Sequence, residues 1–282
     1  PHIKTTEYNE NQPDFPMPWL QDMTIKEAWN SDKLKALRKA FLEGKKPVEC
    51  SWCWKEEDNG VESYRQHHLK YKSHYFENLD LTVDTSPSPR VFDFKLSNVC
   101  NLKCRMCSPV ASSSIFKEKQ ALGQLHDSQV KEYSYWLSNK ILGTENESDF
   151  FDWLPYIDKI ELTGGEPLVS YENNKLIDLI SKSTYASQIE LVLTTNCTYY
   201  SPKLVEDLSK FKNVKICASI DDLGKRLEYA RHGSDWFNIE KNILKYKDTG
   251  FVFNIWATVN NYNIWYLDSL IEYFDNIDIE IV

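Results

Sequence analysis

From residue 90 onward, short runs rich in β-branched and aromatic residues alternate with segments whose apolar positions recur every three or four residues. The predicted strands are 91–96, 158–163, 188–195, 213–219, 251–259 and 277–282. The predicted helices are 110–122, 129–141, 171–183, 202–210, 235–247 and 264–274. These alternations with apolar strands favour an α/β fold, in which a parallel sheet carries helices on one face or on both.

The preceding part of the chain has a different pattern. Residues 1–23 are rich in proline and polar residues and show no period, which predicts an irregular lead-in. A capping box at Thr24–Glu27 and helical spacing over 31–44, with Gly44 as the C′ residue, predict helices. Residues 55–74 are predicted to form a further helix. We therefore expect a small, mainly helical extension before the α/β domain.

The length and composition agree with this division. With 282 residues and 41% hydrophobic content, the chain can bury one large core and carry a small appendage. We place the boundary between an extension of residues 1–89 and a domain of residues 90–282. The chain begins at Pro1 and ends at Val282 within an apolar run, so both ends look truncated and the extension is expected to be incomplete.

The charge limits the classes of partner. Acidic residues outnumber basic residues by 42 to 33, and the net charge is −9. This charge repels phosphate backbones and disfavours a general nucleic-acid binder, although a local basic groove stays compatible with it. No stretch reaches the roughly 18 apolar residues that a membrane helix needs, and no signal peptide opens the chain. We expect a soluble, cytoplasmic protein.

The candidate chemistry lies in the cysteines. Seven cysteines without a secretory signal favour metal binding over disulfide bonds. Cys100, Cys104 and Cys107 follow the first predicted strand within one loop. Thiolates suit iron and sulfide, and three of them leave the fourth iron of a four-iron cluster open for a substrate or cosubstrate. The alternative is a zinc site, which needs a fourth ligand, but Cys197 and Cys217 lie on other predicted strands.

The CxxxCxxC spacing directly after a first strand resembles the radical S-adenosylmethionine (SAM) enzymes. The resemblance implies a partial (β/α)6 TIM-type barrel in which Cys100, Cys104 and Cys107 bind a [4Fe-4S] cluster. It also implies that the open iron binds SAM and that an electron cleaves SAM to methionine and a 5′-deoxyadenosyl radical. An external electron donor of the flavodoxin or ferredoxin type would then be a partner.

A second stretch follows in the order of the same family. Thr163–Pro167 comes after the second predicted strand and resembles the family's GGEP loop. The resemblance implies that Gly164, Gly165 and Glu166 bind the SAM amino group, a task that needs close backbone approach and a nearby carboxylate. Taken by itself, such a tetrapeptide would be an ordinary turn.

The third predicted strand ends in a stretch that resembles the family's TNGT-type segment, Thr194–Thr198. The resemblance implies that Thr195 and Asn196 contact SAM. The sequence departs from the family at Cys197, where glycine is common. Cys197 is either an additional ligand or, as we prefer, a small buried side chain.

Two later strand ends carry further candidates. Ser219 and Asp221 follow the fourth strand, where barrel active sites gather, and the resemblance implies contacts with the SAM ribose or carboxylate. Asp221 is equally compatible with a helix N-cap. The stretch 229–236 resembles the family's YxRxGxxW segment, which implies that Arg231 pairs with the SAM carboxylate. The fifth strand ends in Val259–Asn263, and the resemblance implies that an asparagine there lies near the adenine. The candidates are Asn260, Asn261 and Asn263, of which Asn263 is our first choice.

The extension has a cysteine pair of its own. Cys50 and Cys53 follow an I-x-E-x-W-N-S helix, and this block resembles part of a SPASM or twitch module that binds an auxiliary iron–sulfur cluster. Two thiolates do not complete a site of four ligands, so we expect the missing ligands before Pro1. His67 and His68 are alternative ligands, although histidines on a polar helix are more commonly plain surface residues.

These observations predict a radical SAM enzyme that abstracts hydrogen from a substrate. We favour a peptide or protein substrate, because a basic helix and aromatic-rich strands suit an extended chain, and the alternative is a dehydrogenase of a carbohydrate or nucleoside. Two rivals from other classes are a non-catalytic iron–sulfur electron-transfer protein and a zinc-stabilised binding module. The presence of Gly164, Gly165, Glu166 and Arg231 counts against the electron-transfer protein, which would not need them. Metal analysis and visible absorption would separate the zinc module.

Overall fold

The computed structural model describes residues 23–71, 73, 88–138 and 141–282. The strands are β1 (Val91–Phe94), β2 (Lys103–Cys104), β3 (Lys159–Leu162), β4 (Glu190–Thr195), β5 (Asn213–Ser219), β6 (Arg231–His232), β7 (Val252–Trp256) and β8 (Glu280–Ile281). The helices are α1 (Ile25–Trp29), α2 (Asp32–Leu42), α3 (Ser51–Asp58), α4 (Tyr64–Tyr71), α5 (Ser113–Ala121), α6 (Asp127–Ser138), α7 (Glu145–Trp153), α8 (Tyr171–Ser181), α9 (Pro202–Leu208), α10 (Gly224–Ala230), α11 (Trp236–Lys247) and α12 (Leu267–Asn276).

The chain forms two compact units. One unit contains the described residues up to Arg90 together with Ser148–Tyr156. The other contains Val91–Glu147 and Ile157–Val282, and it holds the whole sheet. None of the helices that the structure describes is long and apolar enough to cross a membrane.

Within the described part of the chain, six parallel strands form one sheet in the order β1–β3–β4–β5–β7–β8. The strands therefore follow one another across the sheet in chain order, without the reversal that defines a doubly wound sheet. Helices lie between successive strands, as the sequence predicts. This order is that of a partial (β/α)6 barrel, which opens where β1 and β8 form the two edges.

The two faces of the sheet differ in polarity. One face carries apolar side chains that are almost completely buried, such as Ile160, Leu193 and Ile216. The alternate positions carry charged side chains, such as Glu161 and Lys215, which keep part of their surface exposed. Because successive residues of a strand point to opposite faces, the apolar face packs under the helices and the charged face lines the concave side of the barrel.

The predicted strands are all confirmed, each with its centre inside the predicted range. The helices α7 and α10 and the short strands β2 and β6 were not predicted. Helix α7 was not predicted because its sequence, ENESDFFDW, is too polar to show an apolar stripe.

The extension is mainly helical, as predicted. Thr24 and Glu27 form the capping box at the start of α1, with both reciprocal hydrogen bonds present. Gly44 follows α2 with φ +68°, the conformation expected of a C′ residue. The single helix predicted over 55–74 is wrong, because Gly60, with φ +73°, separates α3 from α4. The predicted irregular lead-in of residues 1–22 lies outside the described residues.

Candidate functional site

The three cysteines lie in the loop between β1 and α5. Cys104 belongs to β2, and the backbone N–H of Cys107 donates to the carbonyl of Cys104 at 3.0 Å. The start of α5 holds the first part of the loop. Ser114 Oγ donates to the carbonyl of Cys100 at 2.6 Å, and the N–H of Cys100 donates to Ser113 Oγ at 3.3 Å. The loop is therefore shaped by the chain itself before any ligand binds.

The surroundings of the three thiols combine burial with one nearby positive charge. Burial raises the pKa of Cys100, Cys104 and Cys107, and the neighbouring thiols add to this effect. The positive charge of Arg231 opposes it at all three thiols. The backbone N–H of Leu102 also donates to Cys100 Sγ at 3.5 Å, as N–H groups do to thiolate ligands.

The same thiols do not form a site for a single ion. Among the residues that the structure describes, no three His, Cys, Asp or Glu side chains gather closely enough to hold one metal ion. A four-iron cluster instead binds each cysteine through a different iron, so it fits thiols that share a loop without converging on one point.

A two-stranded ladder joins the cysteine loop to the later YxRxGxxW segment. β2 pairs antiparallel with β6, which places Cys104 opposite Arg231 and Lys103 opposite His232. The N–H of Arg105 donates to the carbonyl of Ala230 at 2.8 Å and extends this contact. Two segments that are far apart in the sequence are thereby held side by side.

Arg231 forms a buried ion pair with Asp221. Arg231 Nε donates to Asp221 Oδ2 at 2.7 Å, and the exposed fractions of the two side chains are 12% and 0%. Asp221 Oδ1 also accepts the N–H of Thr258 at 2.9 Å. Burial alone would lower the pKa of Arg231, but the hydrogen bond and charge of Asp221 outweigh it and the pKa lies above its usual value. The N-cap interpretation of Asp221 is wrong, because Leu223 is the N-cap of α10.

Asn263 connects the loop after β7 to the same network. Its Nδ2 group donates to the carbonyls of Asp221 and Thr258 at 2.8 Å and 3.0 Å. Its Oδ1 accepts the N–H of Asn260 at 2.8 Å. Asn263 is 1% exposed, so its amide holds the ends of two strands together. The carboxyl end of β5 itself is Ser219, which lies opposite Trp256 of β7.

The two glycines of the GGEP loop pack against the backbone that leads into the cysteine loop. A Cβ atom on Gly164 would lie 2.4 Å from the carbonyl oxygen of Ser97, and Gly164 has φ +127°. A Cβ atom on Gly165 would lie 2.3 Å from the carbonyl oxygen of Val99. The N–H groups of Gly165 and Glu166 donate to these same two carbonyls, at 3.1 Å and 2.8 Å. Both glycines are thus required by the close approach of two backbone segments.

Glu166 ties the GGEP loop to the end of β4. Its Oε1 accepts from Thr195 Oγ1 at 2.6 Å and from the N–H of Leu168 at 3.2 Å, and its Oε2 accepts the N–H of Asn196 at 2.6 Å. Burial raises the pKa of Glu166, and these three hydrogen bonds act in the opposite direction. The three residues predicted separately from two motifs therefore form one hydrogen-bonded group.

Cys197 adopts the left-handed conformation, with φ +58°, and is fully buried. This conformation gives the physical reason why glycine is common at the position, since other residues reach it at a cost. Its carbonyl accepts a hydrogen bond from Asn242 Nδ2 at 3.0 Å, and burial raises the pKa of its thiol well above the usual value. These observations agree with a small buried side chain.

Asn101 was missed by the sequence interpretation, although it directly follows the first cysteine of the motif. Its Oδ1 accepts from Asn196 Nδ2 at 3.1 Å, and its Nδ2 donates to Thr198 Oγ1 at 2.8 Å. It therefore connects the cysteine loop to the TNGT-type segment. Its only sequence signal was its place between a cysteine and a buried leucine.

A cavity of about 340 Å³ lies against the cysteine loop. Its lining consists of Lys103, Cys104, Arg105, Cys107, Ile115, Glu118, Lys119 and His232. The cavity thus combines two of the motif cysteines with several basic side chains.

The second cysteine pair lies in the other unit. Cys50 is the N-cap of α3, and Cys53 lies within its first turn; both are half-buried. Burial, followed by the charge of Cys53, raises the pKa of Cys50. Within the described ranges no third Cys, His, Asp or Glu joins this pair in a metal-binding group.

Comparisons with known proteins find similarity over part of the chain. A family model described as the radical SAM superfamily matches residues 94–274. The radical SAM cyclopropyl synthase TigE of Paramaledivibacter caminithermalis is 26% identical over 188 residues, which are 63% of this chain and 35% of that protein. The GTP 3′,8-cyclase of Aquifex aeolicus is 25% identical over 193 residues, 67% of this chain and 54% of that protein. The chain therefore spans about a third to a half of the length of these relatives.

One similar solved structure is that of anSMEcpe with bound AdoMet and the Cp18Cys peptide. It is 21% identical to this chain, with a TM-score of 0.47, and the match covers 68% of this chain and 49% of that one.

Proposed function

Because the chain belongs to the radical SAM superfamily, we propose that its barrel cleaves SAM reductively and directs the resulting radical to a substrate. Cys100, Cys104 and Cys107 would hold the [4Fe-4S] cluster, with SAM at the open iron. When bound, this group supplies the electron that breaks SAM into methionine and a 5′-deoxyadenosyl radical, which takes a hydrogen atom from the substrate. The observation that carries the proposal is the ladder that holds Cys104 opposite Arg231.

Arg231 is assigned to the SAM carboxylate. Its Nε–H donates to Asp221, which fixes the plane of the guanidinium group. The remaining N–H groups of the fork match a carboxylate bidentately. Asp221 is then a positioning residue, and Asn263 supports it from the loop after β7.

The GGEP loop is assigned to the SAM amino group. The N–H groups of Gly165 and Glu166 are already used by the backbone before the cysteine loop, so an ammonium group would bind to carbonyl oxygens of Gly164 and Gly165. The buried Glu166 adds a negative charge to this end of the site. Thr195, Asn196 and Ser219 lie at the carboxyl ends of β4 and β5, where we assign further SAM contacts.

The test of this function is 5′-deoxyadenosine formation by anaerobically reconstituted protein with SAM and a chemical reductant. We expect the wild-type protein to form it and the Cys104→Ala variant to lose it, because one iron of the cluster then lacks its ligand. Cys217→Ala is the matched control, since Cys217 is buried on β5 and belongs to no motif. Formation retained in the triple variant of Cys100, Cys104 and Cys107 would contradict the proposal.

For the substrate, we propose a peptide chain. The concave face of the sheet carries Glu161 and Glu190, whose side chains are 31% and 32% exposed and which both pair with Lys159. Exposed aromatic side chains lie near the ends of the strands, including Trp256, Tyr229 and Tyr262. Peptides, sugars and nucleosides offered with SAM would be compared by the substrate-dependent increase in 5′-deoxyadenosine. An increase with sugars or nucleosides and none with peptides would favour the alternative.

For residues 1–89, we propose a SPASM- or twitch-like module with an auxiliary cluster. The support is the pair Cys50 and Cys53. Both are half-buried at the start of α3, which comes after the capped helix α1 in the chain. Iron counting on the full-length, anaerobically reconstituted protein tests it. About eight irons per chain, falling by half in the Cys50→Ala, Cys53→Ala double variant, are expected, and about four in both proteins would remove this role.

A further inference from the structure

The cavity beside the cysteine loop has a lining distinct from the residues assigned to SAM. Of the described residues that line it, two are the motif cysteines Cys104 and Cys107. The GGEP loop, the ends of β4 and β5 and the Arg231–Asp221 pair contribute no side chain to its lining. A cluster held by these cysteines would therefore be within reach of this surface.

The cavity is basic, in contrast to the chain as a whole. Its lining contains Lys103, Arg105 and Lys119, besides His232. Glu118 is its acidic lining residue, and it forms an ion pair with Lys103 at 2.7 Å. The net charge of the chain is −9, so an acidic partner would be repelled by most of the surface and attracted here.

Part of the basic surface is held by contacts within the chain. Arg105 Nε donates to the carbonyl of Tyr229 at 2.9 Å, and its guanidinium group lies 4.1 Å from the centre of the Tyr229 ring. Lys103 and His232 lie opposite each other in the β2–β6 ladder, and Lys119 belongs to α5. A preformed surface loses little conformational entropy when a partner binds.

We propose that this surface, lined by Lys103, Arg105, Lys119 and His232, docks the protein that reduces the cluster. The partner is an acidic one-electron carrier whose redox centre lies close to its own surface. One electron leaves the reduced carrier and enters the oxidised cluster, and no proton or group is transferred. The inference rests on the proposed function, since it needs the cluster at Cys104 and Cys107.

The test measures cluster reduction alone, in the absence of SAM. Oxidised reconstituted protein is mixed with reduced flavodoxin under anaerobic stopped-flow conditions, and loss of cluster absorbance gives the rate. Lys119→Glu is expected to lower the second-order rate roughly tenfold at low salt, and Glu118→Lys is expected to raise it. The difference between the variants should shrink as salt screens the charges.

The matched control is Lys210→Glu, which makes the same charge change on an exposed residue. Lys210 lies between α9 and β5, at the amino end of the strand, whereas the cysteine loop lies at the carboxyl ends. Reduced flavodoxin should reduce the cluster of the Lys210→Glu variant at the same rate as that of the wild type. A reduced viologen, a small cationic donor, should reduce all these proteins without the loss seen for Lys119→Glu.

The outcomes separate this inference from the proposed function. If reduced viologen supports 5′-deoxyadenosine formation but Lys119→Glu takes electrons from flavodoxin as fast as the wild type at low salt, the docking surface is overturned and the function stands. If no cluster forms at all, the proposed function fails first. Saturable binding of inorganic phosphate or ATP that Lys119→Glu abolishes, with an unchanged flavodoxin rate, would also overturn the docking surface.

Discussion

The buried pair of Arg231 and Asp221 gives the sharpest test of how the site is held together. The Asp221→Asn substitution keeps the size of the side chain but removes its charge. Arg231, whose side chain is 12% exposed, would then remain buried without its counter-ion. The asparagine would also offer only one acceptor to two donors, Arg231 Nε and the N–H of Thr258.

Breaking a buried ion pair by removing one partner costs about 3–5 kcal/mol, and we expect the free energy of unfolding of the apo-protein to fall by this amount. The matched control is the neighbouring Asp222→Asn. Asp222 pairs with Arg226 at 2.8 Å, but the Arg226 side chain is 42% exposed and stays solvated. The expected loss there is about 1 kcal/mol.

Urea unfolding followed by circular dichroism measures both variants under the same conditions. Asp221→Glu restores the charge on a longer side chain, so it separates the loss of the charge from the loss of the hydrogen-bond geometry. If the two asparagine variants lose the same stability, the buried pair does not hold the strand ends, and the positioning role of Asp221 is refuted.

Three further predictions follow from the same structure. Gly165→Ala should lower the free energy of unfolding of the apo-protein by about 3 kcal/mol, since the added Cβ would overlap backbone atoms. The control Gly224→Ala, at φ +54° in open space, should cost about 1 kcal/mol. Equal losses in urea unfolding would contradict the steric argument. Arg231→Ala should weaken SAM binding by roughly 1.5–3 kcal/mol in titration calorimetry of the reconstituted protein, and unchanged affinity would leave Arg231 a structural role only. The hydrogen bonds from Arg65 hold the pKa of Glu57 below its usual range. The wild type should therefore have a higher free energy of unfolding than Glu57→Gln at neutral pH, and this difference should vanish as the pH falls below the ordinary glutamate range. A difference that persists in acid would contradict this linkage.

The sheet was predictable because its strands are buried on the face that packs under the helices. Runs such as 188–195 are rich in β-branched and leucine residues, and the observed strand Glu190–Thr195 lies inside that range. The ladder of β2 and β6 was not predictable. Each strand has two residues, so no local pattern exists, and the pairing is decided by hydrogen bonds between distant segments.

The helical extension illustrates a different limit. The polar stretch 55–74 has helix-forming residues on both sides of Asn59 and Gly60, and the prediction extended one helix across these two poor helix formers. Gly60 lies in open space at φ +73°, where it ends the run at a turn that a side chain would disfavour. The dipeptide Asn59–Gly60 is itself a turn signal, so this boundary was present in the sequence and the single helix was drawn across it.

In the site, motifs located the residues but did not give their partners. The sequence interpretation assigned Gly164 and Gly165 to close approach by SAM, and the structure shows close approach by the backbone of Ser97 and Val99. It also left Asp221 between a ligand contact and an N-cap, whereas the side chain pairs with Arg231. Partners of this kind depend on which loops meet at the ends of the strands, and that is a property of the folded barrel.

The arrangement of these loops has a physical consequence for the cluster and for SAM. One backbone ladder holds Cys104 opposite Arg231, and one amide, that of Asn101, links the cysteine loop to Asn196. The cysteine loop is therefore linked by hydrogen bonds both to the residue proposed for the SAM carboxylate and to the segment proposed for the rest of SAM. The barrel strands need only carry these loops to a common edge, and the hydrogen bonds between the loops then set the distances between the thiols and these groups.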